Sequence, residues 1–304
     1  MSERPHIFTL TGNLLAERTF EFENWSPGKT HRATRETFQV GGKGINVSKM
    51  LSRLGAANTA LCFTGGASGV ECEQWLESRG FSHRTFHSDR NPRVGTVVRS
   101  SNHPETTFLG PDVIPSAEAI AACAAYLDTQ PAGQILACCG SFPGWNTAGF
   151  EPLRDALARW LVRGVLVADT YGPPLAWLAQ RPLPLVKINA HELRTLIGNF
   201  DSVTSALAAI TSQWPADRWV VSDGPGAVTF RDGLNGNVDT LRPPVVREIS
   251  ATGSGDVLFA SLLCSLFLER TTLQDALNVA LPRAAANAAH PGVAEFPEPA
   301  KLSD

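Results

Sequence analysis

The chain has 304 residues, 43% of them hydrophobic and 18% charged, with a formal net charge of −3. That length supports a large buried core, and the near-neutral charge with no basic stripe argues against a nucleic-acid partner. No run of 18 apolar residues suggests a membrane span, "MSERPHIFTL" lacks the apolar stretch of a signal peptide, and the six cysteines, without C-x-x-C spacing, read as buried thiols of a reducing cytoplasm rather than a zinc site.

In chain order, residues 17–40 show short β-like runs with turns and weak helical periodicity. "VGGKGINVSKMLSRLGA", Val40 to Ala56, is a glycine-rich turn entering a helix, with Val47, Met50, Leu51 and Leu54 on one face and Lys49 and Arg53 opposite. "NTALCF", ending at Phe63, is a strand, followed by a helix around "GVECEQWLESRG". Residues 84–110 again lack helical periodicity and join 17–40 as an expected small β-lid. "QILACCG" (134–140), "GVLVADT" (164–170), "LPLVKIN" (183–189) and "RWVVSDG" (218–224) are apolar runs ending in polar residues, and "GFEPLRDALARWLVR" is an amphipathic helix. Such alternation predicts an α/β domain spanning 1–304, with a doubly wound, mainly parallel sheet. Ligands of such sheets bind at the carboxyl ends of strands, so Asp169, Asn189 and Ser222 are expected to converge on one crevice.

Several familiar sites fail on spacing. "SPGKT" lacks the P-loop glycine, since residue 23 is Glu, and Gly42-Lys43 fails likewise at Thr37. "HEL" at His191 lacks a second histidine, because Thr195 holds its place. Neither "GSFPG" nor "TGSGD" has nucleophile-elbow spacing.

"TGSGDVLFASLL" sets three small residues, Gly253, Ser254 and Gly255, and one acid, Asp256, at the mouth of an apolar helix. Backbone N–H groups there lack intrahelical partners and face the positive end of the dipole, which suits an anion such as phosphate. A carboxylate beside that anion suits a base taking a proton from an attacking hydroxyl. The same residues also suit a plain helix cap.

Taken with "ADTYG" and "VKINAHEL" in this order, the two glycine turns resemble those of the PfkB family of carbohydrate kinases, the ribokinase-like fold, over residues 6 to 296. The likeness is closest to the fructose-1-phosphate and tagatose-6-phosphate kinase branch. It implies a kinase using ATP and Mg2+, with Asp256 as base and Gly253, Ser254 and Gly255 as anion hole. Asn189 and Glu192 fall on the family's N-x-x-E motif for magnesium, Glu192 acting through water; Lys187, Ser222, Gly224, Gly226 and Asn287 fall on its nucleotide side. Gly42, Lys43 and Asn46 match its substrate turn, and Lys29, Arg32 and Arg93 lie near lid positions that grip the substrate's phosphate. The resemblance also implies a homodimer formed through the lid. The sugar end departs from the pattern: Leu15 holds the place of an acid that binds sugar hydroxyls, Gly95 and Val97 replace an asparagine and a lysine, and Leu109 replaces another asparagine. Glu17 is a candidate replacement for the acid. A sugar phosphate is the expected acceptor; a free sugar or nucleoside, or a sugar-phosphate sensor without turnover, are the alternatives.

Overall fold

The computed structural model describes residues 4–210 and 213–298. From the N-terminus, β1 (Ile7–Thr11) is followed by β2 (Leu15–Phe22), β3 (Arg35–Gly41) and α1 (Lys43–Arg53). Next come β4 (Asn58–Thr64), α2 (Gly66–Ser78), β5 (His83–His87), β6 (Arg93–Ser100) and β7 (Thr106–Leu109). Helices and strands then alternate: α3 (Ala117–Thr129), β8 (Ile135–Gly140), α4 (Glu151–Arg163), β9 (Val165–Thr170), α5 (Pro173–Ala179) and β10 (Val186–Asn189). Two short helices, α6 (Ala190–Ile197) and α7 (Val203–Ala209), lead to β11 (Arg218–Ser222), β12 (Val228–Asp232) and β13 (Val238–Leu241). The last two helices are α8 (Ser254–Leu263) and α9 (Leu273–Ala288).

Nine of these strands form one sheet in the order β13-β12-β11-β10-β9-β8-β1-β4-β5, parallel except at the β12–β13 edge. Successive side chains of a strand point to opposite faces, and both faces are covered. Leu136 and Cys138 pack with Leu153 and Trp160 of α4, whereas Ile135, Ala137 and Cys139 pack with Phe259 of α8 and Leu277 of α9. Each fully buried Leu, Ile or Phe side chain of this kind contributes roughly 1.5–3 kcal/mol. All six cysteines are buried free thiols.

A second sheet, in the order β3-β2-β6-β7, stands apart as the lid. Its register pairs Leu15 with Gly41 and Arg93, and Gly95 with Glu17 and Leu109, so these six side-chain positions share one face. The far end of the lid leans on the segments around the α8 loop: Arg99 Nη2 donates to the Pro291 carbonyl at 2.7 Å, and Ser250 Oγ donates to Glu105 at 2.9 Å.

One sequence expectation changes here. The segment 84–110 overlaps β5, which pairs parallel with β4 in the main sheet, because Phe86 is buried against Phe63 and Tyr126. Lys49, opposite the apolar face of α1, is buried. It is 8% exposed, with its ammonium 5.0 Å from the Trp75 ring and 3.4 Å from Gln39, and burial pushes its pKa down to about 8.

Candidate active site

The site begins with α8. Every residue from Asp256 to Leu263 is buried, since this helix is wedged against α1, α9 and the sheet. A helix apolar on all sides is held in the interior, and its N-terminal N–H groups are therefore fixed in place. Gly253 caps it in the left-handed region (φ 78), where any side chain would also run into Val293. Gly255 allows a close approach, because a Cβ there would lie 2.7 Å from the Lys187 ammonium.

Asp256 follows in the first turn, 6% exposed. Its Oδ2 accepts a hydrogen bond from Asn46 Nδ2 at 2.8 Å, so the glycine turn before α1 and the loop before α8 meet at this carboxylate. Burial pushes its pKa up to about 6, reinforced by the like charge of Asp169 and opposed by Lys43, Lys187 and the Asn46 hydrogen bond. A carboxyl so placed is able to take up a proton near neutral pH.

Asp169, at the end of β9, is fully buried and holds two ammonium groups, Lys43 on Oδ1 and Lys187 on Oδ2, both at 2.8 Å. Burial would raise its pKa, but Lys187 and Lys43 outweigh that and keep it below the usual carboxylate range. Lys43 also donates to Glu192 at 2.9 Å. Burial works to lower the Lys43 pKa, yet Asp169, Glu192 and Asp256 hold it well above the usual amine range. Lys43 thus starts at the expected substrate turn, beside its cap Gly42, but sends its charge to the strand ends.

Asn189 and Glu192 form a reciprocal capping box on α6: Asn189 Oδ1 accepts from the Glu192 N–H at 2.8 Å, and Glu192 Oε2 accepts from the Asn189 N–H at 2.9 Å. The i, i+3 spacing of the N-x-x-E motif is the spacing this box requires. No cluster of three or more His, Cys, Asp or Glu able to hold a metal occurs among the described residues. The donors are one carboxylate, its oxygens already engaged by Lys43 and the Asn189 N–H, and the Asn189 amide, a set that would suit a hydrated ion rather than a carboxylate cage.

Beside this polar floor opens a cavity of about 630 Å3. Lys187, Asn189, Ser222, Gly224 and the loop 253–256 line its polar part; Val228, Pro243, Val246, Leu281 and Ala284 line its apolar part. Two expected nucleotide residues are not at its surface. Gly226 closes a turn, its N–H donating to the Asp223 carbonyl at 2.8 Å. Asn287 is 0% exposed and clamps the loop from behind, donating to the Thr252 carbonyl at 2.9 Å and Ser254 Oγ at 3.1 Å while accepting from the Ala294 N–H. Its α9 neighbours Leu281 and Ala284 face the cavity instead.

At the other end, Asn13 Nδ2 donates to Asp112 at 2.8 Å and to Ser141 Oγ at 3.2 Å, and Arg93 Nη1 donates to the same Asp112 oxygen at 3.0 Å. The departures at Leu15, Gly95 and Leu109 form one contact: a Cβ on Gly95 would lie 2.9 Å from Leu15 Cδ1 and 3.3 Å from Leu109 Cδ2. Glu17 is buried and bonded to Gln39. Lys29 and Arg32 do not join Arg93; both are exposed in the β2–β3 connection. Asp112 has no sequence signal beyond a turn-like Gly-Pro-Asp, whereas Asp169 is marked by an acid ending an apolar strand.

A family model described as pfkB family carbohydrate kinase matches residues 12–301. The chain belongs to the pfkB family of carbohydrate kinases. Among curated relatives, a 1-phosphofructokinase of Bacillus subtilis is 26% identical over 289 residues, covering 93% of this chain and 92% of that one. The ATP-dependent 6-phosphofructokinase isozyme 2 of Escherichia coli is 29% identical over 288 residues, covering 88% of each. A solved structure of Escherichia coli phosphofructokinase-2, in a tetrameric inhibited form, superposes with a TM-score of 0.84 at 25% identity, covering 93% of this chain and 94% of that one. A ribokinase structure from Thermotoga maritima, 15% identical with a TM-score of 0.73 and covering 97% and 96%, shares the ribokinase-like fold. This pfkB protein is therefore a carbohydrate kinase, a phosphotransferase with an alcohol group as acceptor.

Proposed function

We propose that this pfkB kinase transfers the γ-phosphoryl group of ATP to a hydroxyl of a sugar phosphate, with magnesium and with Asp256 as general base. The observation that carries the reading is the Asp256 carboxylate: buried, pushed up to about 6, held by Asn46 from the acceptor turn and set beside the anion loop. Asp256 accepts the acceptor proton as the bond to phosphorus forms. The backbone N–H groups of Gly253 and Gly255, with Lys187, meet the charge on the transferring group, while the Ser254 N–H donates to the Ala251 carbonyl at 3.2 Å. Magnesium, when bound, supplies charge neutralisation to the nucleotide phosphates, and Glu192 and Asn189 would face its water shell. The named relatives support a phosphorylated acceptor, and the Leu15–Gly95–Leu109 contact supports one less hydroxylated than fructose 1-phosphate.

The decisive assay is ADP release from ATP and magnesium over a panel of phosphorylated and free sugars. Turnover stimulated by a phosphorylated sugar supports the reading. Preference for a free sugar or nucleoside would overturn the acceptor class, and nucleotide and sugar binding with no turnover on any acceptor would favour a sensor.

The outer lid face supports a homodimer. Val94 is 49% and Phe108 56% exposed there, and a second copy would cover them. Light scattering at micromolar protein should give twice the chain mass. No helix among the described residues is long and apolar enough to cross a membrane, and the buried free thiols support a cytoplasmic location.

A further inference from the structure

We propose that Asp112 is a positioning residue of the acceptor site, setting the guanidinium of Arg93 and the amide of Asn13 so that each offers an unpaired edge to the acceptor. One oxygen, Asp112 Oδ1, receives Arg93 Nη1 at 3.0 Å and Asn13 Nδ2 at 2.8 Å. The Asn13 amide is also tied to Ser141 at 3.2 Å. These bonds leave Arg93 Nε and Asn13 Oδ1 buried without any hydrogen-bond partner among the described residues. Buried polar atoms of folded proteins are nearly always paired, so two orphans on neighbouring side chains point to a ligand. Asn13 is 5% exposed and the Arg93 side chain 14%, so neither is an ordinary solvated group.

The geometry of the fork decides what each edge takes. In a guanidinium, Nε–H and one H of Nη2 run parallel and match two oxygens of a phosphate. Asp112 occupies Nη1, away from that edge, so its charge orients Arg93 without filling the phosphate seat. Asn13 Oδ1 is an acceptor only, and it takes a hydroxyl donor. The pair thus fits an acceptor carrying a phosphate close to a hydroxyl, with an apolar edge against Leu15 and Leu109. The register places all of this at one end of the lid, because Leu15 is paired with Arg93 and Gly95 with Leu109. Asp112 lies in the connection that follows β7, with its side chain 57% exposed, so its replacement leaves the core intact.

This inference rests on the sugar-phosphate reading and is tested within it. Steady-state kinetics are measured on fructose 1-phosphate, fructose 6-phosphate and fructose for the parent, Asp112→Ala, Asp112→Asn and Arg93→Ala. The Kd of inorganic phosphate, with an ATP analogue filling the nucleotide site, is measured alongside. Asp112→Ala should raise KM for the preferred phosphorylated acceptor, and the phosphate Kd, by about tenfold, the size of one charge-assisted hydrogen bond, with kcat changed less than about twofold. Asp112→Asn keeps an oxygen for both donors and should show a smaller rise. In the Arg93→Ala background, Asp112→Ala should add less than about twofold, since its route of action is gone. If Asp112→Ala instead tightens the phosphorylated acceptor, or shifts phosphorylated and free acceptors alike, or changes neither KM nor Kd, the positioning role is wrong while the sugar-phosphate reading stands. If the parent prefers fructose to both phosphates and Arg93→Ala is harmless, the sugar-phosphate reading fails and this inference fails with it.

Discussion

Asn46 and Asp256, 210 residues apart in the chain, are joined by a 2.8 Å hydrogen bond between Nδ2 and Oδ2. The bond makes the two glycine turns one unit, since the first then senses the charge on the second. It favours the ionised carboxylate, whereas burial and Asp169 favour the protonated one.

Removing it should therefore move the acid limb of catalysis. In the parent, kcat/KM should rise with pH through about 6, the region where Asp256 loses its proton. Asn46→Ala should shift that limb upward by about one pH unit, corresponding to roughly 1.4 kcal/mol. A pH profile of kcat/KM, with stability checked at each point, reads the shift. An unmoved limb would detach Asn46 from the ionisation of the base.

Much of this site is legible in the sequence because its signals are local. The alternation of apolar runs places Asp169, Asn189 and Ser222 at strand ends, and the i, i+3 spacing of Asn189 and Glu192 is a helix-start pattern. What is not legible depends on partners distant in sequence. Nothing near Lys43 says that its ammonium turns to Asp169, 126 residues on. Helical position alone does not tell that Asn287 faces the loop 252–254 while Ala284 faces the cavity. The apolar side of α1 is readable, yet the burial of Lys49 comes from Trp75 of α2 and Gln39 of the lid, which α1 itself does not encode. The lid boundary fails at β5 for a similar reason: a five-residue strand with a single buried residue, Phe86, joins the main sheet only through β4.

The loop glycines should separate by mechanism. A methyl on Gly255 meets the tip of a flexible lysine, which is able to swing away, so Gly255→Ala should fold but loosen Lys187 from Asp169 and weaken nucleotide use by roughly tenfold or more. A methyl on Gly253 meets Val293 and forces a left-handed backbone, costing ~1–2 kcal/mol for the backbone alone. Melting curves and KM for ATP, measured on both variants, should show opposite rankings. Equal melting losses would mean that the loop acts chiefly as structure.

Glu192→Gln should raise the magnesium concentration needed for half-maximal rate, because the charge proposed to face the metal's water shell is lost. It also weakens the hold on Lys43, now left to Asp169. The check is a magnesium titration at saturating ATP. An unchanged midpoint would reduce Glu192 to its part in the capping box.

The raised proton affinity of Asp256 carries a stability signature. A carboxyl whose folded pKa lies above its unfolded value stabilises the fold below about pH 4, and that contribution is lost as pH rises to about 6. Asp256→Asn should thus melt above the parent at pH 8 and near it at pH 4, as calorimetry across that range would show. A variant melting below the parent at pH 8 would contradict the raised pKa.

The central claim is that Asp256 takes the acceptor proton, and Asp256→Asn tests it most directly. With ATP, magnesium and the preferred phosphorylated sugar, the variant should lose roughly 10²- to 10⁴-fold in kcat, the usual cost of a missing general base, while its Kd for an ATP analogue stays within about threefold of the parent. A variant that turns over within a few-fold of the parent, still folded and still binding nucleotide, would contradict the account.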